Sequence, residues 1–194
     1  METQKENYLC PYCNVTFETF EALKAHAITE HKKESAPTPE GVITLTVNGQ
    51  RHRVHVEPQW TLYHLLHDQM GLLGIKMFCD RGACGSCTVI MESRPILSCM
   101  TFAIECDGKV IETAEGIAEA GHPLVDSYVK HHTMQCGYCT PGFITTAKAL
   151  LDKNPEPTEE EVRKALSGNL CRCGTYPQHP KAVLEAAAHL KGGK

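Results

Sequence analysis

The chain has 194 residues, 42% of them hydrophobic, a formal net charge of −4 and eleven cysteines. That length holds one large domain or two small ones, and so mild a charge offers no bulk electrostatic attraction to nucleic acid or bilayer. No segment approaches the ~18 consecutive apolar residues of a membrane span.

The N-terminal run METQKENYLCPYC has no basic region followed by an apolar stretch. No signal peptide is therefore expected, and the cytoplasm is the expected compartment. Without a secretion signal, CxxC spacings favour metal binding over disulfides. Residues 1–34 read as a small ββα zinc-finger-like unit, because Cys10-x2-Cys13-x12-His26-x4-His31 has the ligand spacing of a tetrahedral Cys2His2 zinc site. Tyr8, Phe17 and Leu23 fall where such a unit places its core. The base-reading positions hold Thr19, Ala22 and Ala25, and alanine cannot make the bidentate contacts that specify a base. Residues 1–31 also carry two lysines against five glutamates, a net of −3, which disfavours phosphate contact. The unit is expected to bind one Zn2+ and to dock on a protein, with Phe20 as an apolar anchor.

Residues 35–41, the end of the polar run KKESAPTPEG, form the expected linker. Within 42–118, VITLTV alternates in strand fashion, Asn48-Gly49 signals a hairpin, and QRHRVHV returns as a second strand. A helix is predicted from about Thr61, with Leu62, Leu65, Leu66 and Met70 on one face. Strand-like segments follow at 87–92 and 109–113, making a small α+β domain. Residues 119–194 read as all-α. Apolar faces at Leu124/Val125/Tyr128/Val129 and at Phe143/Ile144/Ala147/Leu150/Leu151 mark two helices. A Thr158–Glu161 capping box opens a third, closed by Gly168, and Pro180 sits in the first turn of a fourth. In an up-down-up-down bundle, the loop between helices one and two lies at the same end as that between three and four.

Those two loops hold half of a cysteine pattern that dominates the chain. Cys79, Cys84 and Cys87 have the plant-type ferredoxin spacing C-x4-C-x2-C, with eleven residues between Cys87 and Cys99. Gly82 and Gly85 let the backbone wrap closely and aim N–H groups at sulfur. Cys136, Cys139, Cys171 and Cys173 form a second quartet, CxxC and CxC, with 31 residues between them. Four thiolates suit a [2Fe–2S] cluster, two for each iron. The second spacing also suits zinc, so zinc remains open there on the thiols alone.

The surrounding text carries a family resemblance. CDRGACGSCTV, QCGYCTPGF at 135–143 and GNLCRCGTYP at 168–177 resemble the signature of the iron–sulfur subunit of molybdenum hydroxylases of the xanthine dehydrogenase, aldehyde oxidoreductase and carbon monoxide dehydrogenase type. The resemblance spans roughly residues 42–190. It implies a β-grasp ferredoxin-like [2Fe–2S] domain followed by a four-helix [2Fe–2S] domain. It also implies a molybdopterin-binding large subunit and an FAD-binding subunit or other acceptor as partners, with the second cluster nearer the pterin. Gln135 and Cys173 would touch the pterin by that resemblance. CRCGTYP departs from the commoner CRCTGYP, and His179 stands where relatives often carry an aliphatic residue.

The remaining candidates have plain readings. Cys106 reads as a small apolar filler, and His64 and His67 as satisfied or solvent-facing histidines. His131-His132, near the second cysteine loop, are candidates for tuning a cluster there. No nucleophile triad, Walker loop or dinucleotide fingerprint appears, so chemistry on substrate is expected on another chain. The reading is thus an electron-transfer subunit carrying two [2Fe–2S] clusters and one Zn2+. The alternative is a zinc-binding regulatory or redox-sensing protein.

Overall fold

The computed structural model describes residues 8–10, 13, 15–30 and 41–192. His31 and most of the expected linker lie outside them. The chain divides into two units, Met1–Thr38 and Pro39–Lys194.

In the first unit, β1 (Tyr8–Leu9) pairs antiparallel with β2 (Thr16–Phe17), and α1 runs over Phe20–Glu30. The Thr19 hydroxyl accepts from the Ala22 N–H at 3.2 Å, which caps the helix start. Tyr8 meets Phe20 edge to face at 5.9 Å, and Phe17 lies 4.7 Å from the His26 ring. Phe20 is nonetheless 56% exposed.

The second unit opens with the expected hairpin, β3 (Val42–Val47) and β4 (Gln50–His55). Asn48 and Gly49 both take positive φ, 49° and 80°, the conformation that matches a two-residue turn to strand twist. Three further strands, β5 (Thr88–Met91), β6 (Arg94–Leu97) and β7 (Val110–Glu112), complete a sheet in the order β4-β3-β7-β5-β6. Only the β3–β7 pair is parallel. β6 has no counterpart in the sequence reading. Its turn, Glu92-Ser93, takes positive φ without glycine or asparagine, and Pro95 reads against a strand except at an edge, which is where β6 lies.

The helix predicted from Thr61 is a π-helix over His64–Gln69, with an i→i+5 bond from the Met70 N–H to the Leu65 carbonyl at 3.0 Å. Apolar spacing over so short a segment does not separate the two helix types. The wide turn is held by Tyr63 stacked on His67 at 4.8 Å and by His67 Nδ1 bonded to the Ile75 carbonyl at 2.7 Å. Leu65 and Leu66 are buried against Ile43, Leu45, Val47, Val89 and Ile111 in one core.

Helices follow: α2 (Ala114–Glu119), α3 (Pro123–Lys130), α4 (Thr140–Lys153), α5 (Glu159–Ala165) and α6 (Gln178–Gly192). α2 is an addition to the sequence reading, too short to show a periodic face. The Thr158–Glu161 capping box is formed, with both reciprocal bonds present. These helices bury a second core of Leu124, Tyr128, Phe143, Ala147, Val162, Val183 and Ala186. The two cores meet through β5: Val89 packs in the first and Ile90 in the second. A strand buried on both faces reads as a continuous apolar run, as Val89-Ile90-Met91 does within β5. Residues 42–118 and 119–194 therefore pack as parts of one unit.

Candidate functional site

The fold brings members of each candidate quartet together. In the first, Cys87 Sγ lies 3.3 Å from Cys99 Sγ, and the Cys84 thiol acts on the ionisation of Cys79. The Ala83 N–H reaches Cys79 Sγ at 3.2 Å. Burial opposes ionisation of Cys79, but N–H groups of Arg81, Ala83 and Cys84 converge on its sulfur and bring it down to about 7. Burial and the adjacent Cys87 thiol push Cys99 up to about 12, against the Gly82 N–H that also points at its sulfur. Gly82 thus does aim a donor at sulfur, at φ 72°.

Gly85, at φ 73°, serves a different purpose. A Cβ there would stand 2.6 Å from both Asn169 Nδ2 and the Gly168 carbonyl. The residue is glycine because the second cysteine loop presses against it. A Cβ on Gly142, in the first turn of α4, would likewise stand 2.5 Å from the Gly85 carbonyl.

The α3–α4 and α5–α6 loops line one cavity, and the Cys171 thiol acts on the ionisation of Cys139. Burial and the Cys171 sulfur push Cys139 up to about 12. Cys171, although burial raises it, is brought down to about 7 by the Thr175 hydroxyl and the N–H groups of Thr175 and Cys173. Cys136 is exposed and Cys173 half-buried. Gln135 is exposed beside Cys136.

Three links join the first cysteine loop to the two loops of the second quartet. The Leu170 N–H donates to the Cys84 carbonyl at 2.9 Å, Asn169 Nδ2 to the Gly85 carbonyl at 3.0 Å, and the Tyr138 hydroxyl to the Met77 carbonyl. A cavity of about 760 Å³ opens beside them, lined by Phe78, Cys136, Tyr138, Cys139, Leu170 and Tyr176 among others. The Cys171 N–H donates to the Tyr176 hydroxyl at 2.7 Å. Asn169, Tyr138, Thr175 and Tyr176 were not singled out by sequence reasoning. Their only signal is their place inside the cysteine motifs.

The donor sets fit iron–sulfur ligation. Thiols neighbour one another within each set, Cys87 beside Cys99 and Cys139 beside Cys171, backbone N–H groups already point at sulfur, and in each set one thiol is easy and another hard to ionise. Crowded negative charge resists full ionisation unless a cationic centre compensates it, as a coordinated metal does. The N-terminal unit offers a separate set: ligand atoms of Cys10, Cys13 and His26 all lie within 4.8 Å of one another, with Cys13 Sγ 3.1 Å from His26 Nε2. This trio fits zinc, which binds both donor types tetrahedrally.

The other candidates settle into structural roles. Cys106 is fully buried, and burial pushes its thiol up to about 11. His64 pairs with Asp68 at 2.8 Å. His131 pairs with Glu185 on α6, which Lys130 and His189 also contact, so its imidazole faces a carboxylate rather than a thiol. Among the described residues, no helix is long and apolar enough to cross a membrane.

Comparison with known proteins follows the same division. Residues 45–115 match the 2Fe-2S iron-sulfur cluster binding domain family, and residues 113–184 the [2Fe-2S] binding domain family. The nicotine 6-hydroxylase small subunit of Paenarthrobacter nicotinovorans is 42% identical over 156 residues, covering 80% of this chain and 94% of that one. The nicotinate dehydrogenase small FeS subunit of Eubacterium barkeri is 48% identical over 146 residues, covering 74% and 93%. Among solved structures, quinoline 2-oxidoreductase from Pseudomonas putida 86 superposes with a TM-score of 0.74 at 40% identity, over 78% of this chain and 96% of that one. The aldehyde oxidoreductase of Desulfovibrio gigas gives 0.75 at 40% identity, matching 79% of this chain within 17% of a longer one. The relatives are subunits or segments of oxidoreductases, and the chain belongs to the iron–sulfur small subunits of the molybdenum hydroxylase family.

Proposed function

We propose that the chain relays electrons through two [2Fe–2S] clusters, from a molybdopterin site on a large subunit to FAD or another acceptor on a further partner. Cys79, Cys84, Cys87 and Cys99 would hold one cluster within residues 42–118. Cys136, Cys139, Cys171 and Cys173 would hold the other within residues 119–194. When bound, the clusters supply one-electron carriers. The protein's own contribution is to gather and orient the thiols, direct N–H groups at sulfur, and hold the two loops against each other. The observation that carries this reading is the Leu170–Cys84 hydrogen bond, which links the two loops by a short path through backbone. Gln135, exposed beside Cys136, is open to a pterin held by the large subunit. Substrate selection belongs to that subunit, and the relatives named for nicotine, nicotinate and quinoline suggest an N-heteroaromatic class for it.

Residues 1–34 lie outside both family matches. We read them as a zinc-binding unit, with Cys10, Cys13, His26 and His31 as ligands, that docks on a protein partner through an acidic, base-blind surface. Metal analysis and EPR of the reduced protein test both parts. The expected result is about four iron and one zinc per chain with two distinct EPR signals. One cluster per fully loaded chain would sink the relay.

A further inference from the structure

His179 lies one hydroxyl away from Cys171. It is 1% exposed, at the start of α6, and its ring stacks on Phe143 with centroids 3.9 Å apart and 1° between planes. Its Nε2 is 3.2 Å from Thr175 Oγ1, and that oxygen is 3.2 Å from Cys171 Sγ. Thr175 is itself 4% exposed, so water does not compete for either contact.

Proton counting gives the chain a direction. A ligating Cys171 is a thiolate and can only accept. Thr175 has one hydroxyl proton, which therefore goes to the sulfur. Its oxygen then accepts from imidazole, so the proton of neutral His179 sits on Nε2. The remaining ring atom, Nδ1, is buried and without a hydrogen-bond partner, as expected of the bare lone pair in that tautomer. Burial lowers His179 to about 4, which keeps the ring neutral and the direction fixed near neutral pH. Each bond polarises the next in a dry interior.

We propose that His179 is a positioning residue for the second cluster: through Thr175 it holds a hydrogen bond on the Cys171 sulfur and raises the reduction potential of the cluster there. This rests on the reading of Cys171 as a cluster ligand. The physical reason is that reduction adds negative charge that the sulfurs share, and a donor to sulfur stabilises the reduced state more than the oxidised one. The tether also fixes the rotamer of Cys171 from a packed helix rather than from its own exposed loop.

The test is an EPR-monitored redox titration of the intact complex, which reads each cluster separately. Thr175→Val and His179→Leu should lower the potential of the second cluster and leave the first unmoved. The expected size is a threefold to tenfold drop in its reduced-to-oxidised ratio at fixed potential, about 30–60 mV for one electron. Thr175→Ser and His179→Gln, which keep a hydroxyl and an N–H donor, should restore it. Should His179→Leu fail to hold iron, His179→Met fills the space without a donor and replaces it. An unchanged second potential in Thr175→Val overturns the proposal. So does a shift in Thr175→Val that neither His179 variant lacking an N–H shares, or an equal shift of both clusters. Absence of a second EPR signal from the unmutated complex is a different failure, that of the ligand assignment beneath it.

Discussion

The backbone N–H of Leu170 donates to the carbonyl of Cys84 at 2.9 Å. Leu170 precedes Cys171, so a candidate ligand of one site bonds to the neighbour of a candidate ligand of the other. Asn169 and Gly85 repeat the link one residue away on each side. These contacts require the two loops to approach at backbone distance, and that requirement sets the first prediction.

Gly85→Ala should destabilise the second unit by about 2–4 kcal/mol, the sum of overpacking and a left-handed backbone carrying a side chain. Its Cβ would collide with Asn169 and Gly168 at 2.6 Å. Gly49→Ala is the control: its φ is also positive, 80°, but nothing lies within 4 Å of the added carbon, so only the backbone cost of about 1 kcal/mol remains. Thermal unfolding followed by circular dichroism and by cluster absorbance should separate the two. Equal losses would show that the loop contact is not under the constraint described.

Removing single ligands should reveal the order of the relay. Cys136→Ser is expected to stop electrons leaving the molybdenum subunit while substrate still binds there. Cys84→Ser should leave the helical-side cluster reducible by substrate and block delivery to the acceptor. Rapid mixing with substrate, followed by visible absorption, reads each step. If the folded Cys84 variant lost reduction of both clusters, the assumed order would be reversed.

The N-terminal unit should behave independently. A ββα unit of this size has too little core to fold without metal, so Cys10→Ser or a zinc chelator should unfold residues 8–30 and leave iron content unchanged. Deleting residues 1–34 should weaken assembly or alter acceptor use. Salt-sensitive, sequence-specific binding of the full chain to duplex DNA, lost in Cys10→Ser, would count against a protein partner.

Acid should destabilise the helical core through His179. Burial lowers its folded pKa to about 4, below the ordinary histidine value of 6.5. The unfolded chain therefore binds the extra proton first, and stability rises with pH across this window. The contribution is complete above about pH 6.5 and is lost as pH falls to about 4, up to about 3 kcal/mol. The ring faces Thr175, Phe143 and Tyr128, and none of these supplies a charge to offset its protonation. Unfolding midpoints of the wild type and His179→Gln should converge as pH drops from 7 to 4.5; parallel curves would refute this.

Spacing alone singles out both cysteine quartets and Cys10, Cys13, His26 and His31 as candidate ligand sets, because ligand geometry is a local constraint written in residue intervals. The Asn48-Gly49 turn and the Thr158 capping box are legible for the same reason: each is a short-range hydrogen-bonding unit whose residues specify it. The order of the loops between the predicted helices, in an up-down-up-down arrangement, would already place Cys139 near Cys171 without any distance information. What lay beyond the sequence is long-range. β6 is held by pairing with β5 across a turn that breaks the usual composition rule, and the π-helix by contacts of Tyr63 and His67. Gly85 reads locally as a loop-wrapping glycine, but its lost Cβ makes room for Asn169, 84 residues on. His179 reads as an oddity in an aliphatic position, and only the folding of α6 beneath Thr175 and Phe143 places it behind Cys171. Residue intervals determine which groups can share a metal; packing between distant segments decides which of their neighbours reach the sulfurs.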